Sequence, residues 1–138
     1  DSGALVVADR FCLGSLPGRE VIELNDEEDV LTQICRQYMM NNMCPRHMNL
    51  EKVHRRKEYV HELAKEYKAD GVIYEQMKFC DPWAYERMTG TYALREDYGY
   101  PVLAIDRPYA VGNSGQIRTR VQAFVESIEI KKLQGGVR

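Results

Sequence analysis

The chain has 138 residues and a mass of 16.0 kDa, the size of one domain built on one hydrophobic core. Hydrophobic residues make up 44% and charged residues 29%, a balance that excludes both a disordered charged tail and a membrane-embedded chain. With 21 acids against 19 bases the net charge is −2, so no basic field draws nucleic acid or a membrane surface, and neither is an expected partner. No apolar run approaches the roughly 20 residues that span a bilayer, and the N-terminus does not read as a signal peptide. The expected address is the cytoplasm.

In chain order, the first apolar run covers residues 4–8 (Ala-Leu-Val-Val-Ala). Like the later runs 71–74 and 102–105 it is continuous rather than alternating, the pattern of a parallel strand buried on both faces. Each run is followed by an acid, Asp9, Glu75 and Asp106, where the chain is expected to leave the sheet. A helix is predicted over 26–40, with Val30, Leu31, Ile34, Cys35, Tyr38 and Met39 as its core stripe and Glu27, Glu28 and Asp29 in its first turn. A second is predicted over 50–67, apolar at Leu50, Val53, Val60, Leu63, Ala64 and Tyr67. Its outer face carries His54, Arg55, Arg56, Lys57 and His61, read as solvated. Asp81 as cap and Pro82 in the first turn open a third helix towards Tyr98. A fourth runs from Ser114 to the Gly135-Gly136 stop.

Strands alternating with helices define an α/β fold, here a three-layer Rossmann- or flavodoxin-like domain. Its short parallel sheet of about three strands is covered by helices. Residues 1–138 are expected to form a single domain. Because Asp1-Ser2-Gly3 runs directly into a buried strand, that domain reads as one cut from a longer polypeptide.

In such sheets ligands gather beyond the carboxyl ends of the strands. That rim comprises 9–15, 75–83 and 106–116, and it holds Cys12 and Cys80. Cys80 immediately precedes a helix N-terminus, where free N–H groups favour a thiolate. Cys44 lies in the loop Asn41-Asn42-Met43-Cys44-Pro45-Arg46-His47, and Pro45 holds its backbone extended. Cys35 sits on a core stripe, and Cys12 is ambiguous between packing and ligation. Disulfides are not expected in a chain with a full core and no secretory signal. His47 can complete a Cys-x-x-His pair with Cys44, although the spacing falls short of a convincing zinc motif. Arg118 and Arg120 oppose the dipole of the last helix, a conflict best resolved if one of them reaches an acid or a ligand. Tyr74, Trp83, Tyr85 and Tyr109 lie near the rim and could line an aromatic slot.

At these residues the sequence resembles the 2-hydroxyacyl-CoA dehydratase and benzoyl-CoA reductase family. The resemblance is carried by Ala69-Asp70-Gly71-Val72-Ile73, by Lys78-Phe79-Cys80-Asp81-Pro82 and by residues 115–126, with Cys44-Pro45 and Val6-Val7-Ala8-Asp9 in the expected order. The wording of residues 81–87 and 106–109 is closer to the benzoyl-CoA reductase branch.

The resemblance implies the C-terminal cluster-binding domain of a subunit that carries a [4Fe–4S] cluster on three cysteines. Two correspond to Cys44 and Cys80, and the third lies outside this chain. It implies a second related iron–sulfur subunit, an ATP-hydrolysing activator that donates single electrons, and a CoA thioester substrate reduced to a ketyl-type radical anion. Ser114, Gln116 and Arg118 are candidates for positions around the cluster.

The leading expectation is therefore a benzoyl-CoA reductase-like subunit, inactive as this piece alone. The first alternative is a 2-hydroxyacyl-CoA dehydratase subunit. Readings of other classes are a flavodoxin-like binding module without metal, and a zinc-binding structural domain using Cys44, His47 and Cys80.

Overall fold

In the computed structural model the described residues are 2–11, 15, 20–41, 43–46, 49–110, 112 and 114–135. The elements follow in the order α1 (Val30–Met40), α2 (Leu50–Glu66), β1 (Val72–Met77), α3 (Asp81–Glu96), β2 (Val102–Arg107) and α4 (Ser114–Leu133). The chain divides into two compact units, Asp9–Arg56 and Asp1–Ala8 with Lys57–Arg138.

The larger unit is built on the expected α/β logic. β1 and β2 pair in parallel, Val72 opposite Val102 through Met77 opposite Arg107, and α3 makes the connection a parallel pair requires. Tyr74 meets Trp83 of α3 edge to face, ring centroids 6.2 Å apart. This places α3 over the face that carries Val72, Tyr74 and Gln76. The core is Ala64, Tyr74, Leu94, Tyr100 and Val102, flanked by Val60, Val72 and Trp83. Pro82 lies in the first turn of α3, where its missing N–H has no partner to lose. Gly99 ends the passage from α3 to β2 at φ 74°, a conformation that a glycine adopts without strain. Gly71 is needed for space: a Cβ there would stand 2.8 Å from Ile128 Cδ1 and 2.9 Å from Phe124 Cζ, which seats α4 against the entry to β1.

Among the described residues the sheet has two strands, not the three expected. Residues 4–8 pair with nothing among the described residues and stand in solvent, Leu5 84% and Val6 77% exposed. An apolar run carries the tendency to be a strand, but a strand forms only where an edge offers hydrogen bonds. β1 and β2 also extend past the expected ends, so Glu75 and Asp106 belong to the strands rather than to the loops after them.

The smaller unit departs further. Asp29 is the N-cap of α1, accepting from the Thr32 amide at 3.2 Å, so Glu27, Glu28 and Asp29 precede the helix rather than occupying its first turn. The one described residue of α1 that is buried is Gln33. Its amide nitrogen donates to Asn25 O (2.8 Å) and Glu28 O (2.7 Å), and its oxygen accepts from Asn25 N (2.9 Å). The apolar stripe faces out, Leu31 69% exposed and Tyr38 and Met39 exposed with it. Cys35 on that stripe is exposed, not a core residue. Arg36 clasps Glu28 with both nitrogens, and that hydrogen bond holds the Glu28 carboxyl below its ordinary range.

On α2 the charged face is not uniformly solvated. Arg56 is fully buried. His61 stacks on Tyr98 at 4.2 Å between ring centroids, with Tyr100 at 5.8 Å. Burial pushes the Tyr98 phenol above its ordinary value, and Glu58, Asp97 and Glu62 add to the shift.

Candidate functional site

The rim of the larger unit is made by the ends of β1 and β2 and by the turn that enters α3. The Cys80 amide donates to Met77 O (3.3 Å) and the Lys78 amide to Arg107 O (2.9 Å). Residues 77–80 thereby form a tight turn anchored to the second strand. Its third residue, Phe79, sits at φ 66° with its side chain 98% exposed. A bulky residue in the left-handed region is strained, and here no packing of the ring offsets that strain.

The turn delivers Cys80, half-buried, as the N-cap of α3; the expectation had placed Asp81 there. The cysteine side chain makes no capping bond, and the residue stands at a helix start, where negative charge is favoured.

Polar side chains of β1, β2 and α3 lie behind the turn, with Gln76 on the sheet face that α3 covers and Glu75 on the opposite one. Glu86 is 1% exposed and Gln76 6%. Arg87 donates to Asp106 at 2.7 Å, and Arg107 pairs with Glu75 across the strands. Both strand-end acids are thus held by arginines. The Gln76 side-chain oxygen is buried and accepts from no described residue. These residues escaped the sequence reading because on a helix or strand pattern a charge reads as solvent-facing. No spacing in the sequence pairs Glu75 with Arg107 or Asp106 with Arg87.

Cys44 belongs to the smaller unit, half-buried and followed by the buried Pro45. Arg10 donates to Met43 O at 3.2 Å beside it. Cys35, Cys44 and Cys80 are free thiols. Among the described residues no three His, Cys, Asp or Glu side chains gather as a metal site. Cys12 and His47 lie outside the described residues.

Ser114, Gln116 and Arg118 are exposed on the first two turns of α4. Arg120 resolves its conflict with the helix dipole by donating to Ala104 O at 2.7 Å. The aromatic slot does not form: Tyr74 and Trp83 pack against each other in the core region, while Tyr85 and Tyr109 stand in solvent. No described helix is long and apolar enough to cross a membrane.

The class these features define is a small α/β domain with a cysteine-bearing turn after a parallel strand. The sequence profile of the 2-hydroxyglutaryl-CoA dehydratase D-component matches residues 1–128, and the chain belongs to that family. It is 40% identical over 76 residues to the (R)-phenyllactyl-CoA dehydratase beta subunit of Clostridium sporogenes, covering 54% of this chain and 20% of that protein. It is 31% identical over 67 residues to the putative dehydratase subunit YjiM of Escherichia coli strain K12 (49% and 18%). Against the lactoyl-CoA dehydratase subunit beta of Anaerotignum propionicum it is 40% identical over 62 residues (44% and 16%). The matched segments thus span about a fifth of these relatives. All three names are those of dehydratases, the first alternative above, and none carries the benzoyl-CoA reductase reading.

Proposed function

We propose that this chain forms the cysteine-bearing α/β part of a 2-hydroxyacyl-CoA dehydratase subunit, with Cys80 and Cys44 as two of three thiolate ligands of a [4Fe–4S] cluster. The observation that carries the proposal is Cys80 itself: a half-buried thiol, with no capping bond, at the end of β1 and the start of α3, in a chain of the dehydratase D-component family.

Thiolates are the usual holders of such clusters, and both cysteines are partly accessible and outside any disulfide, so the donors fit the group. A bound cluster supplies one-electron transfer at low potential. The chain's own part is to hold it. The N-terminal end of α3, which Cys80 caps, favours negative charge on its sulfur. The Met77–Cys80 turn fixes the direction of that sulfur through its bonds to Met77 and Arg107. The Arg87–Asp106 and Arg107–Glu75 pairs keep the strand ends close to neutral, so the acids there do not repel an anionic cluster.

The reaction removes the hydroxyl from C2 and a proton from C3 of the acyl group, forming the 2,3-double bond and water with no net change of oxidation state. A second related subunit and an ATP-hydrolysing electron donor complete the reading.

The test is turnover of the complete complex, anaerobically and with ATP and activator, on a 2-hydroxyacyl-CoA and on benzoyl-CoA. Formation of the 2-enoyl-CoA supports the proposal. Reduction of benzoyl-CoA alone supports instead the reductase wording of residues 81–87 and 106–109.

A further inference from the structure

The turn that presents Cys80 carries a ring that the folded chain leaves bare: Phe79 is 98% exposed at φ 66°. Glycine would form the same turn without strain, so what the position gains from phenylalanine is the ring itself. Tyr109 stands correspondingly beyond the other strand. Met77 and Arg107 lie opposite each other at the strand ends, Phe79 and Tyr109 each follow two residues later, and Tyr109 is 80% exposed. Lys78 and Asp81, exposed as well, add charge on either side of the Phe79–Cys80 step. Exposed aromatics rimmed by charge are the make-up of a contact surface. Burying one phenylalanine side chain contributes about as much as a strained backbone residue costs, so a cover over the ring offsets the strain.

We propose that Phe79, with Tyr109, is the docking contact for the stretch of the same subunit that supplies the third cluster thiolate. The assignment rests on the cluster reading above, in which that ligand lies outside residues 1–138; the ring accordingly stays bare in this chain by itself. Two observations select this occupant. Among the described residues no three His, Cys, Asp or Glu side chains gather at Cys80, and the relatives carry much more chain than the segments matched here, which span 20%, 18% and 16% of their lengths. A [4Fe–4S] cube is only a few ångströms across, so a backbone that ligates a cluster held by Cys80 passes against the residues next to Cys80. A neighbouring subunit is under no such constraint. The same contact keeps water from the cluster, whose potential depends on solvent exposure.

The experiment is photo-crosslinking in the complete complex, purified anaerobically as Phe79→p-benzoylphenylalanine, with the joined peptides read by mass spectrometry. The crosslink is expected on the stretch that carries the cysteine, outside residues 1–138, whose replacement by serine also removes the iron. In parallel, Phe79→Ser is expected to assemble with its cluster but to bleach in air about 10-fold faster than the wild type or more, because a cover that has lost a phenylalanine contact opens more often.

A crosslink found only on the partner subunit, only within this chain, or nowhere overturns the assignment, as does Phe79→Ser bleaching at the wild-type rate. Should the photoreactive variant fail to assemble, the wild type decides: a short amine-reactive diazirine linker on the exposed Lys78 is expected to reach the same stretch, and its failure to do so overturns the assignment just as directly. A wild-type complex that holds no iron or sulfide contradicts the cluster reading and the assignment with it, an outcome distinct from a loaded cluster with Phe79 covered by something else.

Discussion

Arg87 of α3 reaches back to Asp106 of β2 with a 2.7 Å hydrogen bond, tying the crossover helix to the strand it leads into. The pair is 27% and 45% exposed, so its energetic weight is that of a surface ion pair, about 0.5–1 kcal/mol. Arg87→Met and Asp106→Asn should each lower the urea midpoint modestly. The double-mutant coupling should stay under about 1 kcal/mol and shrink with salt. Coupling well above that value would place the pair in a far less solvated setting.

Phe79 holds its backbone at φ 66° while its ring packs on nothing. Phe79→Gly should therefore stabilise the chain, by up to about 1 kcal/mol after the greater entropy of an unfolded glycine is subtracted. Urea unfolding reads the sign directly, and destabilisation would mean that the ring is packed in the native protein.

Much of this architecture was legible, and the failures share a cause. The two paired strands and four helices announce themselves through apolar runs and caps, because their partners lie nearby in the same chain. Residues 4–8 and the stripe Leu31, Cys35, Tyr38 and Met39 carry equally clear apolar patterns but stand in solvent, since periodicity records which face wants burial and not what covers it. Arg56 fails in the opposite direction: read as solvated, it is buried, and Gln33, Gln76 and Glu86 are buried polar residues that no pattern announced, because burial of a polar group depends on partners that sequence spacing does not reveal. Of the site, Cys80 at a helix start could be read from Cys-Asp-Pro. The arginines that hold Glu75 and Asp106 could not.

Gly71→Ala would place its Cβ 2.8 Å from Ile128 Cδ1 and 3.2 Å from Pro101 O. The side chains can give way but the carbonyl cannot, so we expect a loss of about 1–3 kcal/mol in urea unfolding. Adding Ile128→Val should recover only part of it, and a neutral Gly71→Ala would contradict the close seating of α4.

Tyr98 gives the fold a defined response to alkali. Its phenol is raised by burial first and then by Glu58, Asp97 and Glu62, so the folded state favours the neutral form. That contribution is fully present below the ordinary tyrosine value of about 10 and is lost as pH rises from there through the folded value. Ultraviolet titration should find a late-ionising step that Tyr98→Phe removes. A Tyr98 that titrates with the exposed tyrosines would contradict the packing against His61.

The central claim is that Cys80 and Cys44 hold an iron–sulfur cluster while Cys35 does not. It is tested most directly by iron and acid-labile sulfide content, with the visible absorption of the complete complex, purified anaerobically as wild type and as Cys44→Ser, Cys80→Ser and Cys35→Ser. We predict that Cys44→Ser and Cys80→Ser each lose most of the subunit's iron and sulfide, while Cys35→Ser, altered on an exposed helix face, keeps both at the wild-type level. Full iron and sulfide in Cys80→Ser would contradict the account.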